Sequence, residues 1–291
     1  MAVASGTPLP PVLTAPYRFV KKLLDAVLGV LDDLGAQLSF YGRSLGWTYR
    51  VILRYKKEVV RLLAEVSLGS GALALVGGTI GVIAFLTFFT GTEVGLQGYA
   101  ALNQLGTSNF TAFLSAYFNT REIAPLVAGL ALSATVGCGF TAQLGAMRIS
   151  EEVDALEVMG VPSLPFLVTT RMIAGFIAVT PLYVVGLLAS YLASRTITTL
   201  FYGQSTGTYD HYFNLFLPPV DVLWSFGKVL LFSIVIILTH CFYGYRASGG
   251  PAGVGVAVGR AVRTAIVTIS LMDFFLSLAI WGTTTTVRIA G

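Results

Sequence analysis

The sequence predicts an all-α integral membrane protein with about five transmembrane helices preceded by amphipathic interfacial helices. Three observations carry this. Of 291 residues, 55% are hydrophobic and only 11% charged, with a mean hydropathy of +0.79, whereas soluble domains carry about 25% charged residues. Apolar runs approaching or exceeding the roughly 20 residues needed to cross a bilayer recur along the chain. The basic residues are also unevenly spread: nine of the 18 Lys and Arg lie before residue 62.

Residues 1–16 contain Pro8, Pro10, Pro11 and Pro16 and read as a disordered tail. They lack a basic start before an apolar core, so a cleavable signal peptide is not expected there. Residues 17–66 alternate apolar and charged positions at helical spacing. Phe19, Leu23, Leu24, Val27, Leu28, Leu31, Leu34 and Leu38 share one broad face, with Lys21, Lys22, Asp25, Asp32 and Asp33 mostly off it. The stretch WTYRVILRYKKEVVRLLAEV then interleaves aromatics with Arg and Lys, as suits a helix lying among lipid headgroups. A helix packed on a cytosolic partner is the alternative.

The transmembrane remainder, 67–291, holds the spans. Uncharged runs cover 67–92, 123–147 and 172–194. A fourth, 229–245, can be extended through Val222–Gly227 past Lys228, and a fifth, 264–287, is broken only by Asp273. Residues 94–120 are uncharged but rich in Gly, Asn, Gln, Ser and Thr. They read as the outer end of the first span and an external loop, with a sixth span as the alternative. Placing the N-terminus inside leaves 14 of the 18 basic residues on the inner side, all but Arg121, Arg195, Lys228 and Arg288. That is the positive-inside pattern. It makes 148–171 and 246–263 cytoplasmic, and 95–121 and 195–221 external.

The second span carries a small residue at every fourth position: Gly129, Ser133, Gly137, Thr141 and Gly145. Such a stripe lets helix backbones approach closely, either as a moving interface or as static packing. Gly77 and Gly81 form a shorter pair. Asp273 lies in the last span, where a charge is costly, and is expected to be paired or to face the bundle interior. Between spans two and three, SEEVDALEVMG (150–160) reads as a short acidic amphipathic helix. Ser150 is its expected N-cap, and Glu151 and Glu152 sit in the first turn, with Gly160 and Pro162 stopping the helix. Val153, Leu156 and Met159 recur on one side among Asp154 and Glu157. A solvated connector has little need for Leu and Met, so this is a candidate docking surface.

Several function classes find no support. GGPAGVGVAVG (249–259) is GxGxxxG without a preceding soluble strand, and no GxxxxGK[ST] occurs. Any ATP must therefore be bound by another subunit, and no cofactor is expected. His211 and His240 lack a second His or an acid at metal or catalytic spacing, so no catalytic or metal site is assigned. Cys138 and Cys241 form no CxxC pair. No soluble basic domain is available for nucleic acid.

Four segments in order, VGLQGYAAL (94–102), REIAPLVAGL (121–130), TAQLGAMRISEEVDALEVMGV (141–161) and YGYRASGGPAGVGVAVGRAV (243–262), resemble the signature stretches of MlaE/YrbE permeases. The EExDALExMG core is met by Glu151, Glu152, Asp154, Ala155, Leu156, Glu157, Met159 and Gly160. FYGQSTGTYDHYF and HCFYGYRASGGPAGVG look most like actinobacterial B-type YrbE subunits. The resemblance implies an MlaE-type fold and a non-enzymatic subunit of a lipid transporter in the plasma membrane. It also implies a second, A-type YrbE permease, a cytoplasmic ATP-binding-cassette ATPase dimer docked on the acidic helix, and Mce proteins that receive or deliver lipid externally.

Overall fold

A computed structural model describes residues 11–68 and 78–282. They are helical nearly throughout, and none of them forms a strand. The chain divides into two compact units, residues 1–45 and 46–291.

The first unit is built on α1 (Pro11–Gly46). The helix begins inside the stretch expected to be a loose tail. Proline suits a first helical position because its missing N–H leaves no bond unmade. Leu28, Leu31, Leu34 and Leu38 are all exposed along it.

The second unit begins with α2 (Thr48–Arg54) and α3 (Lys56–Leu68), so these two short helices belong with the spans. Val51, Val59, Leu62 and Val66 are buried, while Arg54, Lys56, Lys57 and Arg61 point outward. Glu65 Oε1 accepts from Gln143 Nε2 at 2.7 Å. Gln143 in turn accepts from the buried Arg171 at 3.3 Å. Arg171 also donates to the Leu167 carbonyl at 2.7 Å and lies 5.5 Å over the Phe140 ring. A polar ladder thus ties α3 to two of the spans.

Five helices are long and apolar enough to cross a membrane: α4 (Thr79–Gln104), α5 (Ser108–Ile149), α7 (Leu164–Phe201), α9 (Pro219–Tyr245) and α10 (Gly250–Trp281). The short helices α6 (Glu152–Val158) and α8 (Thr206–Phe216) lie at opposite ends of the bundle. The number of spans matches the expectation, but their ends do not. Residues 94–120 are not an external loop. α4 runs to Gln104, and after three residues α5 starts at Ser108. The polar residues that made this stretch look like a loop are turned inward: Thr111, Ser115, Asn119 and Thr120 are buried. Asn119 donates to Ser115 Oγ at 3.2 Å, and Thr120 shares a 2.5 Å hydrogen bond with Tyr191. A helix can therefore run through them inside protein where it could not face lipid.

Two further stretches differ. Residues 195–221, expected to be external, complete α7, form α8 and open α9. The Gly-rich 249–259, placed in a cytoplasmic connection, is mostly the first turns of α10. Gly249 at φ 88° makes the turn, and Pro251 follows at the start of the helix. The start of the expected first span and Gly77 lie outside the described residues. Gly81 is half-buried on α4.

Candidate functional site

The α5–α6–α7 corner is built by local chemistry. Ser150 is not the N-cap of α6; it terminates α5, donating its hydroxyl to the Ala146 carbonyl at 3.0 Å. Glu151 follows in the left-handed region at φ 61°, which reverses the chain so that α6 begins at Glu152. Val153 is fully enclosed and anchors the helix, and Leu156 is half-buried. Val158 and Met159, 87% and 68% exposed, form an uncovered apolar tip, and Gly160 at φ 75° ends the segment. Glu151, Glu152, Asp154 and Glu157 all reach the surface. Three of them are also used internally, Glu152 by accepting from Ser150 Oγ at 3.0 Å. Asp154 pairs with Arg148 of α5 at 2.5 Å. Glu157 accepts from Ser163 at 2.5 Å, and Ser163 shares a 2.7 Å hydrogen bond with Tyr245 at the end of α9. Short polar contacts therefore tie α6 to α5, to the start of α7 and to α9.

The small-residue stripe of α5 is buried at all five positions. Residues four apart drift around an α-helix, because four exceeds the 3.6 of one turn. Ser133–Gly137 adopts wider π turns, which hold more residues each and turn the stripe back into line. It packs on α9 and α10. A methyl at Gly129 would lie 3.4 Å from Phe232 and Ile269, and one at Gly145 3.0 Å from Val254. At Gly137 the missing side chain is replaced by His240, whose ring would lie 2.5 Å from an added Cβ. Ser133 Oγ meets His240 Nε2 at 2.9 Å, and Thr141 Oγ1 meets Nδ1 at 2.8 Å. Thr141 has carbonyls of Gly137 and His240 in reach as acceptors, at 3.1 and 3.0 Å. With its proton on a carbonyl, Thr141 accepts from Nδ1–H, and Nε2 accepts from Ser133. This tautomer is assigned from the network. The stripe is thus a packed and hydrogen-bonded seam.

A second seam escaped the sequence reading. Gly91 and Gly95 of α4 face Ser190 and Ser194 of α7. An added Cβ at Gly91 would lie 2.3 Å from the Ser190 carbonyl oxygen. The signal was the same four-residue spacing, hidden because the first span was expected to end at 92.

The end of the bundle bearing α8 holds a buried charge cluster. Arg121, expected in an external segment, and Lys228, which the extended fourth span runs past, are 5% and 1% exposed. The reason is pairing. Arg121 donates twice to Asp221, at 2.6 and 2.9 Å, and Asp221 also accepts from Trp281 Nε1 at 2.9 Å. Lys228 Nζ lies 2.6 Å from Asp273 and donates to the Arg121 carbonyl and to Ser277, both at 2.7 Å. Glu122 stands 3.4 Å from the same ammonium. A cavity of about 370 Å3 opens beside the cluster, walled by Tyr117, Glu122, Asp273, Phe274 and Trp281. Asp273 therefore has a cationic partner on α9.

The chain resembles known proteins along most of its length. Residues 69–279 match the family described as "Permease MlaE". A probable ABC transporter permease protein of Rickettsia bellii is 26% identical over 252 residues, covering 86% of this chain and 97% of that protein. A protein of the same description from Rickettsia prowazekii is 30% identical over 203 residues, covering 67% and 76%. The chloroplastic protein TRIGALACTOSYLDIACYLGLYCEROL 1 of Arabidopsis thaliana is 28% identical over 199 residues, covering 68% and 57%. Five apolar helices of spanning length, the α6 corner between the second and third of them, and a family match over 69–279 lead to one conclusion: the chain is a multi-pass membrane protein that belongs to the MlaE permease family.

Proposed function

We propose that this chain is the permease subunit of a lipid transporter driven by a separate cytoplasmic ATPase, which docks on α6. The observation that carries this is the α6 tip: Val158 and Met159 stand out in solvent after the exposed Glu157, on a helix opened by the exposed Glu151 and Glu152 and anchored by the enclosed Val153. An apolar tip rimmed by acids fits a partner groove with a basic edge. The contacts from Asp154 to Arg148 and from Glu157 to Ser163 would carry closure of that partner into α5, α7 and α9.

The positive-inside bias supports an orientation with α6 and the N-terminus on the cytoplasmic side and α8 outside, in what the resemblance makes the plasma membrane. The name of the Arabidopsis relative is that of a glycerolipid, which supports a lipid cargo. The stretches around 201–213 and 240–255 favour a B-type YrbE subunit, paired with an A-type permease and working with Mce proteins on the outer side.

The test is co-purification of the ATPase with tagged permease. Val158→Asp and Met159→Asp change side chains that contribute little to the fold, so the permease should stay inserted. Each should lower ATPase recovery strongly, since a central interface residue is worth about 2 kcal/mol or more, roughly 30-fold in affinity. Wild-type recovery in both variants would remove α6 as the docking element.

A further inference from the structure

The turn between α2 and α3 opens onto a cavity of about 540 Å3, far from the Arg121–Lys228 cluster in sequence and separate from it in lining. Arg54, Lys56 and Lys57 form its rim, and all three are exposed. Among the described residues, none of these three cations has a carboxylate within ion-pair distance. Glu58 is the one acid in the wall, and its charge is answered elsewhere: it accepts from Arg61 Nη2 and Nε at 2.5 and 3.0 Å. The apolar side is Leu53 and the Tyr55 ring, which meets Phe166 edge-on at 5.4 Å.

We propose that this corner binds the phosphate headgroup of an anionic phospholipid of the bilayer, as a site apart from the transported cargo. Three cations without a carboxylate partner, Arg54 among them 5.9 Å over the Tyr55 ring, surround an open cavity and call for an anion, and basic residues close to a membrane surface attract anionic lipids. What favours a lipid over a soluble phosphate is the surface beside the rim. Ile52 and Leu53 are 46% and 56% exposed and Tyr49 is 75% exposed, giving acyl chains an apolar flank that a small ion would not need. On the reading that an ATPase acts through α6, the occupant would also touch elements next to that corner. Phe166 is the third residue of α7, just past the α6 corner, and the ladder from Arg61 through Glu65 and Gln143 to Arg171 begins one turn beyond Glu58. A bound headgroup would brace α3 against the start of α7.

The experiment uses the purified transporter complex and counts retained lipid by native mass spectrometry, titrating phosphatidylglycerol into phosphatidylcholine. Each basic residue near an anionic surface contributes about fivefold in affinity, so Arg54→Gln/Lys56→Gln/Lys57→Gln should weaken phosphatidylglycerol binding about 100-fold. Retention of phosphatidylcholine should not change. The comparison variant Arg246→Gln/Arg260→Gln/Arg263→Gln removes the same charge from exposed positions outside this corner and should bind as the wild type does. Lys57→Gln alone, expected to lose about fivefold, guards against misfolding of the triple variant. An equal loss in the comparison variant would overturn the proposal, because binding would then follow net charge. Displacement of the lipid by inorganic phosphate at equal concentration would also overturn it, assigning the corner to a soluble anion.

Discussion

Lys228 and Asp273 meet at 2.6 Å between α9 and α10, with the ammonium almost wholly enclosed. Removing Asp273 leaves the buried ammonium with only Glu122, at 3.4 Å and on a more exposed side chain, as a carboxylate neighbour, and breaking a buried pair costs about 3–5 kcal/mol. Asp273→Ala should therefore lower the unfolding temperature of the detergent-solubilised protein strongly. The double variant Lys228→Met/Asp273→Leu, which buries no charge at this pair, should recover most of that loss. Equal destabilisation in single and double variants would show that the ion pair is not what holds α9 to α10.

At Gly137 a methyl would lie 2.5 Å from the His240 ring, whereas at Gly139 it would meet nothing. Gly137→Ala should cost about 1–3 kcal/mol through overpacking, and Gly139→Ala should be close to neutral. Thermal unfolding of the two variants side by side checks this, and matched melting curves would mean that the seam has room to spare.

Topology is tested by labelling. In a Cys138→Ala/Cys241→Ala background, Ser205→Cys and Ser248→Cys place thiols at exposed positions on opposite ends of the bundle. A membrane-impermeant reagent should reach the first in intact cells and the second only after lysis. Labelling of both from outside would reject the proposed orientation.

The hydrogen bonds from Arg61 hold the Glu58 carboxyl below its ordinary range, with partial burial opposing them. A depressed carboxylate pKa contributes stability that is present above the unfolded value, about 4.3, and is lost as pH falls through the folded one. Because Arg61 is largely exposed, the contribution is below about 1 kcal/mol. Glu58→Gln should thus be slightly less stable than wild type at pH 7, with the difference shrinking as pH falls below about 4.3 and through the folded value. A difference that stayed constant over that range would point to packing and not charge.

Hydropathy located the five spans because the lipid-facing sides of α4, α7, α9 and α10 are apolar enough to dominate any window. It misplaced their ends for a physical reason. Residues such as Asn119, Thr120, Arg121 and Lys228 look like loop or surface residues until their partners are known, and those partners are remote in sequence. Asp221 lies 100 residues from Arg121, and Ser277 lies 49 from Lys228. His240 was visible as a residue but not as the filler of the Gly137 notch, because Ser133 is 107 positions away. The α6 helix was legible because its features are local: acids, spaced apolar residues and a terminating glycine. Even there, the handover at Ser150 depended on the end of α5, which local capping rules did not reveal.

The two glycine seams impose different histories on the chain. What Gly137 meets is a side chain, so a lineage that acquires alanine there can restore the fit with a smaller residue at position 240. What Gly91 meets is the backbone of Ser190, and no exchange of side chain at 190 can withdraw a carbonyl oxygen. Substitution at the first seam can be followed by compensation; at the second, it requires α4 and α7 to move apart together. Position 91 should therefore stay closed to replacement in descendants of this chain long after position 137 has begun to drift with its histidine.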